Sequence, residues 1–328
     1  MTRRNFVKGA GVMALAVALS GSLAATLAEA AEWPERPIQL IVPWSAGGGT
    51  DATGRIVATL LQKELGQPVN VVNRTGGGGI VGHTEIANAK PDGYTIGVIT
   101  TELSTYHWAG TSALTYKDYS PIGLYNTDAT AIHVRSDGPA TIQALIDQIK
   151  AEPGAHKASG ANLGGFAHLG MVGLLTALDL PPTAAPWIPA EGAAPALQLL
   201  ASKAIDIVST TMPEVEAMTD TGMIKTLVIL RNERDPAFPD VPSVKEALGV
   251  SWNLEAWRGI GGPKGMPDEV VAKLSAALDK VVKSEEFTSL MATRKFGVTY
   301  LAAPEFTDFL ATMDAGFGTA MTAAGLVK

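Results

Sequence analysis

Residues 69–89 read VNVVNRTGGGGIVGHTEIANA, and the meaning of that stretch decides which kind of α/β protein this is. A β-branched run enters four glycines and leaves them in a segment with helical character. Gly77, Gly79 and Gly82 spell G-x-G-x-x-G, and Glu102 follows Gly82 by 20 residues. A dinucleotide-binding fold places its ribose-binding acid at that distance. Three features weigh against a nicotinamide site. A complete strand–glycine–helix unit precedes this one, whereas the fingerprint normally sits on the first strand of its domain. Asn73, Arg74, Thr75 and Gly76 intervene between the strand and the first fingerprint glycine. A run of glycines also satisfies the pattern by chance.

The preceding unit covers residues 36–68. Ile38, Leu40, Ile41 and Val42 form a buried strand, residues 44–49 a loop, and Thr50 or Asp51 is placed to cap the helix that follows. Ala52, Ile56 and Leu60 recur every four residues, Leu61 and Leu65 widen the stripe, and Gly66 with Pro68 ends it. The second unit closes with the Pro91-Asp92-Gly93 turn and a strand over 94–100. A third unit places a glycine-bearing loop at 159–165 before a helix over 169–178. Strands are expected at 132–134, 205–209 and 224–230, and helices at 141–150 and 195–201. A further helix starts at Pro267, with Val270, Leu274 and Leu278 on one face. The alternation predicts an α/β fold with mainly parallel sheets.

A loop that ends on a helix N-terminus offers unpaired N–H groups and the positive end of the helix dipole. Glycine lets that backbone approach a ligand closely. Three such loops in the same topological position predict a site for anionic groups.

The chain has 328 residues and a net charge of −7. Residues 1–30 carry Arg3 and Arg4, then Phe6 and Lys8, an apolar stretch, and Ala28-Glu29-Ala30 as a small-x-small cleavage signal. They are expected to be a twin-arginine-like signal peptide cleaved near Ala30, which directs a soluble chain to the periplasm. Removing them takes away three basic residues and one acidic residue and leaves −9, which argues against a nucleic-acid or anionic-membrane partner. There are no cysteines, hence no disulfides and no lipid anchor through a thiol. The length predicts two lobes.

Seven segments follow one another in order: PWSAGGGTDATGR from Pro43, VVNRTGGGGIVG from Val71, PDGYTIGVIT from Pro91, ASGANLGGFAHL from Ala158, GAAPALQLLASKAIDIVS from Gly192, DPAFPDVPSVKEAL from Asp235 and GPKGMPDEVVAKLSAAL from Gly262. Together they resemble the periplasmic solute receptors of tripartite tricarboxylate transporters, the Bug-type binding proteins. The resemblance implies a two-lobed, type II periplasmic-binding-protein fold with two crossover strands. It places lobe 1 at 31–131 and 255–328 and lobe 2 at 132–254. It also implies a monomeric receptor with no cofactor that closes on a small carboxylate and delivers it to membrane transporter subunits. Carried over by position, lobe 1 offers Trp44, Ser45, Gly47, Gly48, Gly77, Gly78, Thr101 and Glu102, and lobe 2 offers Ser159, Gly160, Asn162, Gly164, His168 and Thr210. Valine at Gly78 or Gly160 is then expected to abolish binding and spare the fold.

Departures bear on the ligand. Thr210-Thr211 stands where many members carry an acid, which argues against an amino-acid ligand. Trp44 stands where a smaller residue or a tyrosine is common, which favours a narrow or flat ligand. Glu102 and Asp128 stand near strand ends, where either could meet a hydroxyl or a cation.

Other chemistry finds little support. Ser159 and His168 lack a G-x-S-x-G elbow and an acid partner, so no nucleophilic catalysis is expected. His83, His107, His133, His156 and His168 show no metal-binding spacing. Arg74 faces either a distal carboxylate or solvent. Two alternatives remain open on residues alone: an exported NAD(P) oxidoreductase, and a receptor that presents its ligand to a sensor protein.

Overall fold

The computed structural model describes residues 33–323 and 325–328; the expected signal peptide lies outside them. In chain order come β1 (Ile38–Val42), α1 (Gly49–Leu65), β2 (Val69–Asn73), α2 (Ile80–Ala87), β3 (Thr95–Thr100) and β4 (Tyr119–Arg135). Next come α3 (Ile142–Ala151), β5 (Ala158–Ser159), α4 (Phe166–Ala177), α5 (Ala193–Ala201), β6 (Ile207–Thr211), α6 (Met212–Asp220), β7 (Ile224–Ile229) and α7 (Val244–Leu248). The chain ends with β8 (Glu255–Pro263), α8 (Asp268–Lys283), α9 (Glu285–Thr293), β9 (Leu301–Ala302) and α10 (Ala303–Ala323).

The nine strands of the described residues share one sheet, ordered β2-β1-β3-β8-β4-β6-β5, with β7 and β9 also on β4. It is parallel in the βα units, where β1 lies between β2 and β3 and where β5 lies on β6. The middle is antiparallel: β8 runs against β3 and β4, and β4 against β6 and β7. The mainly parallel sheet expected from the alternation is therefore a mixed one. Its physical reason is that β4 and β8 cross between the two halves in opposite directions. β4 pairs with β8 as far as Ala129 and with β6 from Thr130 onward. The expected strand at 132–134 is the far end of this 17-residue strand.

Several local expectations differ by a turn. α1 is capped by Gly48, not by Thr50 or Asp51; Asp51 instead accepts the Gly47 N–H at 3.0 Å and pairs with Arg55 at 2.9 Å. Gly66 ends α1 with φ +68°, in the left-handed region that glycine enters without strain. α4 begins three residues earlier than expected, at Phe166.

Each half has its own apolar core. Ile41, Ile99, Leu124, Trp257, Phe306 and Leu310 pack on the first side, and Ile132, Ile146, Leu174, Ile207 and Val228 on the second. Among the described residues no helix is long and apolar enough to cross a membrane.

The buried histidines give the fold a pH dependence. Burial holds His83, His133 and His168 down at about 4, below the ordinary 6.5. A depressed histidine contributes stability that is complete above about 6.5 and is lost as pH falls toward 4. Burial acts oppositely on Glu102, raised to about 7 from 4.5: its contribution is complete below 4.5 and lost as pH rises through 7. His133 bonds Thr226 Oγ1 at 2.9 Å and the Thr210 carbonyl at 3.3 Å, and asparagine can replace part of both. The melting temperature of His133→Asn is expected to fall less steeply than that of the wild type between pH 6.5 and 4. Equal slopes in thermal melts contradict that assignment.

Candidate functional site

The glycine loops stand at the ends of parallel strands, where open α/β sheets bind ligands. Between the halves lies a narrow cavity of ≈ 30 Å³, room for a water or two, so a larger ligand enters only as the halves part. Three helices aim their N-termini at it: α1 through Gly48, Gly49 and Thr50, α4 through Phe166, and α5 through Gly192, Ala193 and Ala194. First-turn N–H groups have no partner within their helix and carry the positive end of its dipole. The α4 and α5 ends are placed to receive acceptors, whereas at α1 Glu214 already accepts the Gly49 N–H and a ligand has to displace it.

Its side chains come from both halves. On the first, Trp44 donates its indole N–H to Thr100 Oγ1 at 3.2 Å, and Ser45 Oγ reaches across to the Glu191 carbonyl at 2.9 Å. Thr101 Oγ1 is held by the backbone of Trp257, accepting its N–H at 2.8 Å. Thr100 donates to Glu102 Oε2 at 2.5 Å. Glu102 itself is 1% exposed, and its Oε1 meets no hydrogen-bond partner among the described residues.

Arg258, on β8, brings a guanidinium to the cavity. Its Nη1 donates to Asp128 at 2.5 Å and Asn126 at 2.6 Å, its Nε to Thr50 at 3.1 Å, and its Nη2 to Glu214 at 3.3 Å. Asp128 also accepts the Gly297 N–H at 2.8 Å, so this acid braces the crossover strands. Burial pushes the Asp128 carboxyl up, while Arg258 draws it back down.

Two of the protein's own carboxylates already stand on the amides that the glycine loops expose. Glu214, from α6, accepts the Gly49 N–H at 3.2 Å as well as the hydroxyls of Thr210 and Thr211. A Cβ at position 49 would lie 2.7 Å from Glu214 Oε1 and 2.8 Å from Arg258 Nη2, so a side chain there would push these two ends off the Gly49 amide. Glu191 Oε2 accepts the Gly76 N–H at 3.2 Å. Both contacts cross from one half to the other and hold the cleft shut. Glu214→Ala leaves a buried amide and two hydroxyls without their acceptor and is expected to cost about 1–3 kcal/mol. An unchanged urea midpoint contradicts it.

Of the residues singled out in the sequence, Trp44, Ser45, Gly48, Thr101, Glu102, Gly160 and Thr210 line this cavity. Gly77, Gly78 and Asn162 line a neighbouring, outer recess with Glu191; the Gly78 backbone abuts the Asn162 side chain, which brings the two halves into contact. Gly47, Ser159, Gly164 and His168 lie outside both, for physical reasons. Gly47 turns the chain into α1, and Ser159 is fully buried in the sheet. His168 accepts the Gly164 N–H at 3.1 Å and packs on Trp187, which braces the loop. Arg74 pairs with Glu85 at 3.0 Å near the surface. Arg258, Glu191, Glu214 and the place of the α5 N-terminus at the cavity were missed, although the helix itself was expected over 195–201. The Thr211-to-Glu214 spacing is a capping-box signature that could have found Glu214.

The fingerprint glycines have other duties. β2 is the edge strand of the sheet, whereas a dinucleotide crevice needs strands on both sides of a switch point. Gly82 permits helix packing: a Cβ there would lie 2.6 Å from the Arg74 carbonyl.

A family model described as "Tripartite tricarboxylate transporter family receptor" matches residues 53–326. The protein BugT of Bordetella pertussis is 31% identical over 314 residues, covering 92% of this chain and 93% of that protein. The structure of the periplasmic binding protein BugD matches with a TM-score of 0.84 at 28% identity, over 90% of this chain and 100% of that one. MatC from Rhodopseudomonas palustris, solved with bound malate, matches with a TM-score of 0.80 at 26% identity, over 88% and 99%.

Proposed function

Since the chain belongs to the tripartite tricarboxylate transporter family of receptors, we propose that it captures a small carboxylate in the cleft and hands it to a membrane transporter. Receptors of this family bind a substrate and are not enzymes. The observation that carries the reading is the convergence of the α1, α4 and α5 N-termini on one cavity. Hydrogen bonds to a charged acceptor contribute about 1.5–3 kcal/mol each, so a few amides suffice for capture. The bound malate of MatC supports a dicarboxylate among the ligands.

In this reading residues 36–131 and 255–328 form one lobe and 132–254 the other. They part and close about the crossover strands β4 and β8 near Ala129 and Leu254. Glu191 and Glu214 hold the closed arrangement described above. Residues 1–30 would direct the chain to the periplasm, where it would work as a monomer.

A thermal-shift series on the purified protein tests the reading with malate, succinate, citrate, terephthalate, NAD and NADP. Anything that binds only the native state raises the melting temperature with concentration. Stabilisation by carboxylates and not by nucleotides is expected. Stabilisation by NAD or NADP alone overturns it.

A further inference from the structure

Among the acids that line the cavity, Glu102 is the one with a buried oxygen that meets no partner among the described residues. Glu214 is met by Gly49, Thr210, Thr211 and Arg258, and Glu191 accepts from Gly76. Glu102 Oε2 takes the single hydroxyl proton of Thr100 at 2.5 Å, the shortest contact that hydroxyl makes. Trp44 Nε1 donates to the same Thr100 oxygen at 3.2 Å, and His83 Nε2 lies 3.4 Å from it. With Oε2 already accepting, a proton on this carboxyl belongs on Oε1.

The surroundings keep such a proton in place. On β8, Arg258 already pairs with Asp128 and Glu214 and is the one cation among the described residues that line the cavity. On α6, Glu214 repels a charge on Glu102, and Glu191 adds a third acid to the lining. On α2, His83 is neutral because burial holds it down at about 4. Four residues on, burial raises the Tyr106 phenol, which stays neutral too. α10 brings the apolar Phe306 and Leu310 to the cluster of Leu103 and Tyr106. Burial pushes the Glu102 carboxyl up to about 7, against the pull of Thr100, its own amide and Arg258.

We propose that Glu102 is a proton-carrying binding residue: in the liganded cleft its neutral carboxyl donates from Oε1 to a carboxylate oxygen of the ligand, so that capture takes up a proton. This rests on the receptor reading above and deepens it. A charged Glu102 would repel an anion in a low-dielectric enclosure. Protonated, it becomes a donor, as a carboxyl kept neutral by its surroundings can. The ligand's charge and the proton then favour one another, and each strengthens the binding of the other by the same factor. Affinity is highest where Glu102 is protonated and falls as pH rises above 7.

Calorimetry on the full protein with succinate and with malate, in phosphate and in Tris between pH 7 and 9, tests this. The two buffers release a proton with different heats, so the difference in binding heat counts the protons taken up. Both probes are fully ionised over this range, so the uptake belongs to the protein. Close to one proton per bound probe is expected at the alkaline end, with affinity falling toward about tenfold per pH unit. Glu102→Gln keeps a donor at every pH. It is expected to take up no proton, to lose the pH slope and to bind about tenfold or more tightly than the wild type at pH 9. Binding by the wild type without proton uptake overturns this inference and leaves the receptor reading standing. An unchanged pH slope in Glu102→Gln also overturns it, because another group then takes up the proton. Failure of both probes to bind at every pH overturns both readings together.

Discussion

Arg258→Met is expected to cost about 3–5 kcal/mol of stability, the largest effect of any single side chain in the site. Methionine matches much of the arginine volume but carries no charge. Asp128 and Glu214, each with a side chain less than a tenth exposed, would then lie buried without a counter-charge. Asn126 and Thr50 would each lose a donor as well. Arg258→Lys is expected to fall between, because one ammonium cannot span four acceptors on three elements as a planar guanidinium does. Chemical denaturation monitored by far-ultraviolet circular dichroism measures both. A methionine variant with the wild-type midpoint contradicts the bridging role.

The glycines divide into those the fold needs and those a ligand needs, and substitutions separate them. Gly160→Val is expected to cost about 3 kcal/mol or more, at the upper end of what overpacking does. A Cβ there would sit 2.0 Å from the Ser209 carbonyl oxygen, a backbone atom that cannot step aside. Gly78 is similarly confined, with φ +66° and Asn162 2.3 Å from a Cβ. Valine at either position was expected to remove binding and spare the fold; the packing shows that it would damage both. Gly48 behaves differently. Its φ of −79° is open to any residue, and a Cβ meets only the Ser45 carbonyl at 3.4 Å. Gly48→Val is expected to keep its stability within about 1 kcal/mol while weakening ligand binding about tenfold or more by covering first-turn amides of α1. Paired denaturation and calorimetry decide it. Full affinity in Gly48→Val contradicts the role of those amides.

The βα units were legible because each couples an apolar run to a glycine turn and a helix with a 3.6-residue stripe; β1, α1, β3, α3 and α8 all fell close to their expected places. The crossover strands were not legible from pattern. β4 includes Pro121, Gly123, Asn126 and Asp128, and β8 includes Gly259, Gly261 and Gly262, residues that in isolation signal turns. Their cause is tertiary: a Cβ at Gly259 would lie 2.2 Å from the Phe306 ring, so the strand gives up a side chain to seat α10. The site was half legible for a related reason. Backbone amides announce themselves through glycine, but Arg258 finds its partners 130 and 44 residues away in sequence. No local spacing encodes that meeting. Glu191 likewise acts on Gly76 across 115 residues.

The central claim is that backbone amides at helix N-termini grip the carboxylate. Amide ¹H–¹⁵N correlation spectra of the protein, recorded as the tightest-binding probe is titrated in, address it residue by residue. The largest shifts are expected at Gly48, Gly49, Phe166, Ala193 and Ala194, with the Trp44 indole moving in step. Shifts that gather instead at Gly77, Gly79 and Gly82, and leave the α1 and α5 amides unmoved, would contradict the account.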